Sequence, residues 1–229
     1  MSSRWVVFFA VPEEARPFLT LVGKRGQGLA PLSPPVSGAQ GWRAGAGDVW
    51  VSGMGARRAG NLADAVLSNQ DVDWVLTCGF AGGLDASIPT GTVIYDEDAG
   101  FPVGFPRTPE LRKGRFHLAD SVAASAQAKA RLWAQTGAQA VDMESQVIRD
   151  LCRARAVPSA TVRVISDAAS EDLPLDFGAL MTPDQRIDFL RLAGALLRSP
   201  GKVPALIRFS RSLSQSAGNL ARVLDRVTS

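Results

Sequence analysis

The residues of this chain best placed to do chemistry are carboxylates that come at the ends of apolar runs. Glu13 and Glu14 follow WVVFFAV (Trp5 to Val11) and Pro12. Asp142 and Glu144 flank Met143 at the start of a helical pattern, and Asp167 follows Ser166 at the end of ATVRVI (Ala160 to Ile165). Two glycine-rich turns, Gly53 to Gly55 and Gly79 to Gly83, also follow apolar runs. In an open α/β sheet, side chains at the carboxyl ends of strands face the ligand crevice. Taken singly, each has a plainer reading. A strand-end Asp often caps a helix, a Glu in a first turn complements the dipole, and Gly-rich turns serve tight backbone geometry.

The elements that must position these groups alternate. Trp5 to Val11 has the unbroken apolar character of a strand buried on both faces, and Pro12 with two acids opens a helix. Gly23 to Gly47 is rich in Gly, Pro and Ser and reads as loop or irregular edge strand. Val49 to Val51 leads through Ser52 and three glycines into a helix carrying Leu62, Val66 and Leu67. Trp74 to Cys78 and Gly91 to Asp96 are further strands. Ala99 to Ala119 shows little period, which leaves Phe101, Phe105 and Phe116 without an assigned place. Asp120 to Thr136 and Val141 to Ala156 read as helices, the second with Ile148, Leu151 and Cys152 on one side. Strands alternating with helices imply a three-layer α/β fold with a mixed, mostly parallel sheet.

Composition narrows the function classes. The 229 residues are 46% hydrophobic and 21% charged, the balance of a globular protein with a sizeable core. Two cysteines and one histidine exclude a Cys/His zinc cluster, a three-His site and a disulfide scaffold, and a Ser-His-Asp triad could draw only on His117. No apolar run reaches eighteen residues and the first segment lacks a cleavage site, so a cytoplasmic protein is expected. The net charge of +3 is too small to imply nucleic-acid binding, but it is unevenly spread. From Arg186 to Ser229, eight basic residues face Asp188 and Asp225, giving +6 and leaving about −3 elsewhere. The expected division is a catalytic domain over residues 1–180 and a helical extension over 181–229. Helices at Asp188 to Arg198 and Val203 to Val227 either pack on the sheet or face a membrane.

FAVPEEA (Phe9 to Ala15), SGMG (Ser52 to Gly55), CGFAGGL (Cys78 to Leu84), VDMES (Val141 to Ser145) and RVISDAA (Arg163 to Ala169) occur in an order and spacing that resembles the nucleoside phosphorylase and nucleosidase superfamily. That group includes purine nucleoside phosphorylases and methylthioadenosine/S-adenosylhomocysteine nucleosidases. The likeness runs from Trp5 to Ser170 and is strongest in the acid-Met-Glu followed about twenty residues later by Arg-x-x-Ser-Asp. It implies cleavage of a nucleoside's C1′–N9 bond, which builds positive charge on the sugar and negative charge on the departing purine. By the same resemblance, Asp167 protonates or hydrogen-bonds purine N7, with Ser166 and Arg163 beside it. Glu144 holds the ribose 2′-hydroxyl, Met143 packs on the sugar, and Glu14 activates water. Met54, Phe80, Ala81 and Gly82 are expected to line the substrate. The resemblance implies no metal or redox cofactor, and a homo-oligomer, a dimer.

Water is favoured over phosphate as nucleophile. The hexameric phosphorylases of this family carry a Gly-Asp-Pro turn with a following Arg after the first strand and another Arg on the third. Here the corresponding residues are Pro12, Glu13 and Glu14, then Thr77 and Cys78. A Glu14 carboxylate would also repel a phosphate dianion. Against this, Phe80 stands where the nucleosidases have a Ser that helps place the water, and Arg57 and Arg58 remain either phosphate contacts or exposed helix residues. The usual base-stacking Phe segment is absent, so Phe101, Phe105 or Phe116 either replaces it or belongs to the core. TGAQAVDMES (Thr136 to Ser145) and ALLRSPGKVPALIRF (Ala195 to Phe209) are similar to the hopanoid-associated phosphorylases, proposed to release adenine from adenosylhopane. The expected substrate is thus a small or lipid-linked 5′-substituted adenosine, with general salvage of methylthioadenosine or S-adenosylhomocysteine, or nucleoside binding without turnover, as the alternatives.

Overall fold

The computed structural model describes residues 3–26, 28–175, 201 and 203–229. Its centre is four parallel strands in the order β4, β1, β5, β10. These are β1 (Trp5–Phe9), β4 (Gly47–Val51), β5 (Trp74–Gly83) and β10 (Ser159–Asp167), and β1, β4 and β10 are buried along their whole length. Helices cover both faces, which is why the strands read as unbroken apolar runs. On one face, α1 (Pro12–Lys24) contributes Ala15, Phe18 and Val22 to the core, together with Leu220 and Leu224 of α5 (Val203–Val227). On the other, α2 (Ala56–Asn69) contributes Leu62 and Val66, and α4 (Ser145–Ala154) contributes Ile148 and Cys152. The remaining described helix, α3 (Ala126–Thr136), is capped by Ser125 and ends at Gly137, whose φ of 60° is left-handed. The architecture is the expected three-layer α/β fold.

Antiparallel pairings complete a mixed sheet. The strands β2 (Leu29–Leu32) and β3 (Gln40–Ala44) form a hairpin that joins β4, so the Gly- and Pro-rich stretch expected as loop or irregular edge strand supplies the edge of the sheet, with irregular segments between its strands. Its glycines make room for tryptophans: a Cβ at Gly41 would lie 2.2 Å from Trp50, and one at Gly47 would lie 2.0 Å from Trp5. At the opposite edge β6 (Val93–Glu97) runs antiparallel to β10 and β7 (Leu111–Lys113) parallel to β6. A correction comes at β9 (Ala140–Asp142), which pairs antiparallel with the end of β5 and parallel with β8 (Phe116–Leu118). Asp142 therefore ends a strand; it does not open a helix, and α4 begins only at Ser145.

The three unplaced phenylalanines are core. Phe101 packs edge-on against Trp74 at 5.6 Å, Phe105 stacks on Tyr95 at 4.1 Å, and Phe116 packs against the cluster of Ala81, Ile94 and Ile165. Among the C-terminal expectations, the helix from Val203 to Val227 is present, whereas the one at 188–198 lies outside the described residues. The second half of α5 is bound into the body. Arg25 pairs with Asp225 at 2.5 Å, and the Asn219 amide donates to the Gly91 carbonyl at 2.8 Å. No described helix is long and apolar enough to cross a membrane.

Candidate active site

A cavity of about 240 Å³ opens at the carboxyl ends of the central strands. Glu14, Glu144, Asp167, Met143, Ser166, Met54, Phe80, Ala81 and Gly82 all line it. The segments carrying them are as far apart in sequence as Val11 and Ser166, and the parallel strands bring them together because every such strand ends on the same side. Asp142, Val141 and the loop Ser121 to Ala123 close one wall, while Leu173, Phe209 and Leu213 form an apolar rim.

Glu14 sits in the first turn of α1, where it does more than complement the dipole. Its Oε2 accepts the amides of Ala10 (2.9 Å) and Val11 (3.1 Å), and its Oε1 accepts the amide of Phe80 (2.8 Å). Three backbone donors fix the carboxyl group in one orientation. Burial pushes its pKa up to about 7, against the opposing pull of Arg163 and the Phe80 amide. Gly79 makes this approach possible: its φ is +148°, and a Cβ there would lie 2.5 Å from Glu14 Oε1 and 2.6 Å from Arg163 Nη1.

Glu144 ends the β9–α4 connection. Its Oε1 accepts the Gly55 amide at 2.8 Å, across the turn that Gly53 and Gly55 form with φ of 86° and 90°. Its pKa is raised, first by burial and also by Asp142, while Arg163 opposes both. Its neighbour Asp142 has a different task. Asp142 accepts the Ser145 amide (2.9 Å) and hydroxyl (2.7 Å) at the start of α4, and pairs with Arg163 at 2.7 Å. Arg163, expected beside Asp167, instead lies beneath the other acids, on Asp142 and 3.4 Å from Glu144. The alternation of β10 explains this: Arg163 and Asp167 are four residues apart with an irregularity between Ile165 and Asp167, so their side chains reach different parts of the floor.

Asp167 is held at both oxygens. Oδ1 accepts the Ser166 hydroxyl at 2.5 Å, and Oδ2 lies 2.5 Å from the ammonium of Lys129 on α3. Lys129 was not legible as a site residue, since a single lysine among the alanines of AQAKARLWAQT looks like an exposed helix position. Leu173 and Leu213 come from segments without a motif, and Phe209 ends a segment whose resemblance assigns it no place in the site. Other candidates fall away from the cavity. Arg57, Arg58 and His117 do not line it, nor do Phe101, Phe105 and Phe116; its aromatic residues are Phe80 and Phe209. Cys78 and Cys152 are buried and unbridged.

The electrostatics are lopsided. Four buried acids (Glu14, Asp142, Glu144, Asp167) meet two buried bases (Arg163, Lys129), and the raised pKa of Glu14 and of Glu144 is the expression of that imbalance, since burial disfavours carboxylates without a paired cation.

Residues 97–198 match the family model described as the phosphorylase superfamily. No curated protein sequence matches the chain. Solved structures similar to it include the futalosine hydrolase of Helicobacter pylori strain 26695, with a TM-score of 0.68 and 18% identity over 98% of this chain and 96% of that one. The 5′-methylthioadenosine/S-adenosylhomocysteine nucleosidase of the same species, bound to butyl-thio-DADMe-Immucillin-A, gives a TM-score of 0.69 and 18% identity over 99% and 98%. That of Neisseria meningitidis, bound to methylthio-immucillin-A, gives 0.68 and 16% over 99% and 98%. At such identities the likeness is one of fold.

Proposed function

The resemblance to the nucleoside phosphorylase and nucleosidase superfamily holds in sequence over residues 97–198 and in fold over the whole chain, and from that premise we propose that the protein cleaves the N-glycosidic bond of a 5′-substituted adenosine with water. The observation that carries this reading is the convergence of Glu14, Glu144 and Asp167 in one cavity. As the C1′–N9 bond lengthens, its electron pair goes to the purine and Asp167 gives a proton to N7. Glu144 holds the sugar hydroxyls, and its carboxyl group faces the ring as positive charge develops there. Glu14, aimed by its three backbone donors, takes a proton from the water whose oxygen attaches to C1′. Adenine and the free sugar leave.

Water is preferred to phosphate because the cavity lining contains no lysine or arginine among the described residues, while Glu14 and Glu144 already repel each other across it. The 5′-group is read from the rim. Val122, Leu173, Phe209 and Leu213 offer it only apolar surface. An apolar 5′-substituent suits that rim, and the similarity of Ala195 to Phe209 to the hopanoid-associated phosphorylases makes adenosylhopane the lipid-linked candidate. The purified protein should release adenine from 5′-alkylated adenosines faster than from adenosine, with an unchanged rate in phosphate-free buffer. A ribose 1-phosphate product, or turnover that vanishes without phosphate, would overturn hydrolysis; a preference for S-adenosylhomocysteine over alkylated adenosines would move the reading to general salvage.

A further inference from the structure

Lys129 is fully buried, and the role proposed for its partner Asp167 leaves it unexplained. Its ammonium has three protons and three acceptors: the Ala168 carbonyl at 2.8 Å, the Glu171 carbonyl at 2.7 Å and Asp167 Oδ2 at 2.5 Å. Two of these tie α3 to the turn after β10. That turn is already secured without Lys129, by the Ala168 amide to Glu171 Oε2, the Ala126 amide to Asp172 Oδ1, and the Leu173 amide to the Ala124 carbonyl. A neutral donor would serve two carbonyls. Burying a full positive charge is costly unless a negative charge balances it, so the third contact is what a lysine, in place of a neutral residue, supplies.

We infer that Lys129 is the positioning residue of the acid. This rests on the functional reading above. Before the reaction the ammonium and the Ser166 hydroxyl hold the Asp167 carboxyl group from both sides, aimed at the departing base. During it, Asp167, the carboxylate that balances Lys129 in the free enzyme, carries a proton taken up from solvent with the nucleoside and passes it to N7 as the C1′–N9 electron pair goes to the purine. The carboxylate facing Lys129 is thereby restored as adenine leaves. Lys129 itself keeps all three protons throughout and touches no substrate atom.

The role is tested with Lys129→Met, which removes the charge at nearly constant volume, on two substrates. One is a 5′-alkylated adenosine, whose base must be protonated to leave. The other is 4-nitrophenyl riboside, whose leaving group departs as an anion and needs no acid. The variant should lose about a hundredfold in kcat on the adenosine, the usual weight of a positioned acid, with KM changed less than about threefold. On the nitrophenyl riboside it should stay within about threefold of wild type. In an Asp167→Asn background the same change should cost little further. Equal slowing of both substrates, or full additivity with Asp167→Asn, overturns the positioning role. A wild-type protein that cleaves neither substrate overturns the functional reading itself, and with it any part for Lys129 in catalysis. Should Lys129→Met melt below assay temperature, the double variant with Asp167→Asn, which removes both charges, is expected to melt higher than the single one; no recovery overturns the pairing.

Discussion

Glu14 is the residue whose physical state most directly sets a measurable property. With a pKa of about 7 it is a carboxylic acid in mildly acidic solution and a carboxylate above neutrality. Only the carboxylate can accept a proton from water, so kcat/KM should rise about tenfold per pH unit below about pH 7 and level off above it. A profile flat from pH 5 to 8 would remove Glu14 from the role of base. The same shift has the opposite sign for stability. The folded-state value lies above the unfolded one, near 4.5, so the folded state binds the extra proton between them and stability falls as pH rises through that window. Denaturation from pH 5 to 7 should therefore show a downward slope in wild type that is flatter in Glu14→Gln. Asp167→Asn should retain the fold while lowering kcat by roughly 10² to 10⁴, the weight of a positioned general acid. The three acids were legible in the sequence because each belongs to a local motif. Lys129 and the place of Arg163 were not, because both are fixed by contacts between distant elements: Lys129 with β10 and its following turn, Arg163 with β9.

At the scale of elements, the parallel core could be read from its apolar runs, but the pieces that shape the cavity could not. The three-residue strand β9 is too short to show a period, and its pairing with the end of β5 through Gly82 and Val141 is a long-range event. The hairpin of β2 and β3 was disguised by its glycines and prolines, of which Gly41 in β3 makes room for Trp50. Strand β5 carries the clearest element-level consequence. At Gly79 it must adopt a φ of +148° and leave no side chain between Glu14 and Arg163. Gly79→Ala is expected to cost about 1 to 3 kcal/mol in backbone strain and to displace both side chains, with kcat/KM falling at least about tenfold. Gly104→Ala is the control, since a Cβ there meets nothing within 4 Å and its φ is not left-handed. Equal effects from the two substitutions, in denaturation and in turnover, would dissociate the Gly79 backbone from the site.

For the whole molecule, the question is what the basic C-terminal segment does, and α5 answers it differently along its length. Its second half is core: Leu220 and Leu224 are fully buried, so cutting the chain before α5 would remove part of the hydrophobic body and would test nothing about surfaces. Its first half brings Phe209 and Leu213 to the cavity rim, yet leaves Val203 39% and Ile207 48% exposed beside Arg208 and Arg211. Exposed apolar side chains next to arginines suit the peripheral membrane contact we propose, in which the arginines would meet anionic headgroups and Ile207 would enter the interface. Leu196 and Leu197, further apolar positions of the basic segment, lie outside the described residues. This contact, like the lipid-linked substrate, is a proposal, and the two stand together: a nucleoside whose 5′-tail remains in the bilayer needs the cavity mouth held at the membrane. The full-length protein should co-sediment with vesicles containing anionic lipid and be released by salt, since each arginine near the surface contributes about 1 kcal/mol. Arg208→Ala with Arg211→Ala should weaken binding roughly tenfold or more, and Ile207→Glu should weaken it further, with turnover of a short 5′-alkylated adenosine unchanged in all cases. Wild-type protein that stays in the supernatant at low salt would assign these residues to the rim of a site for water-soluble nucleosides.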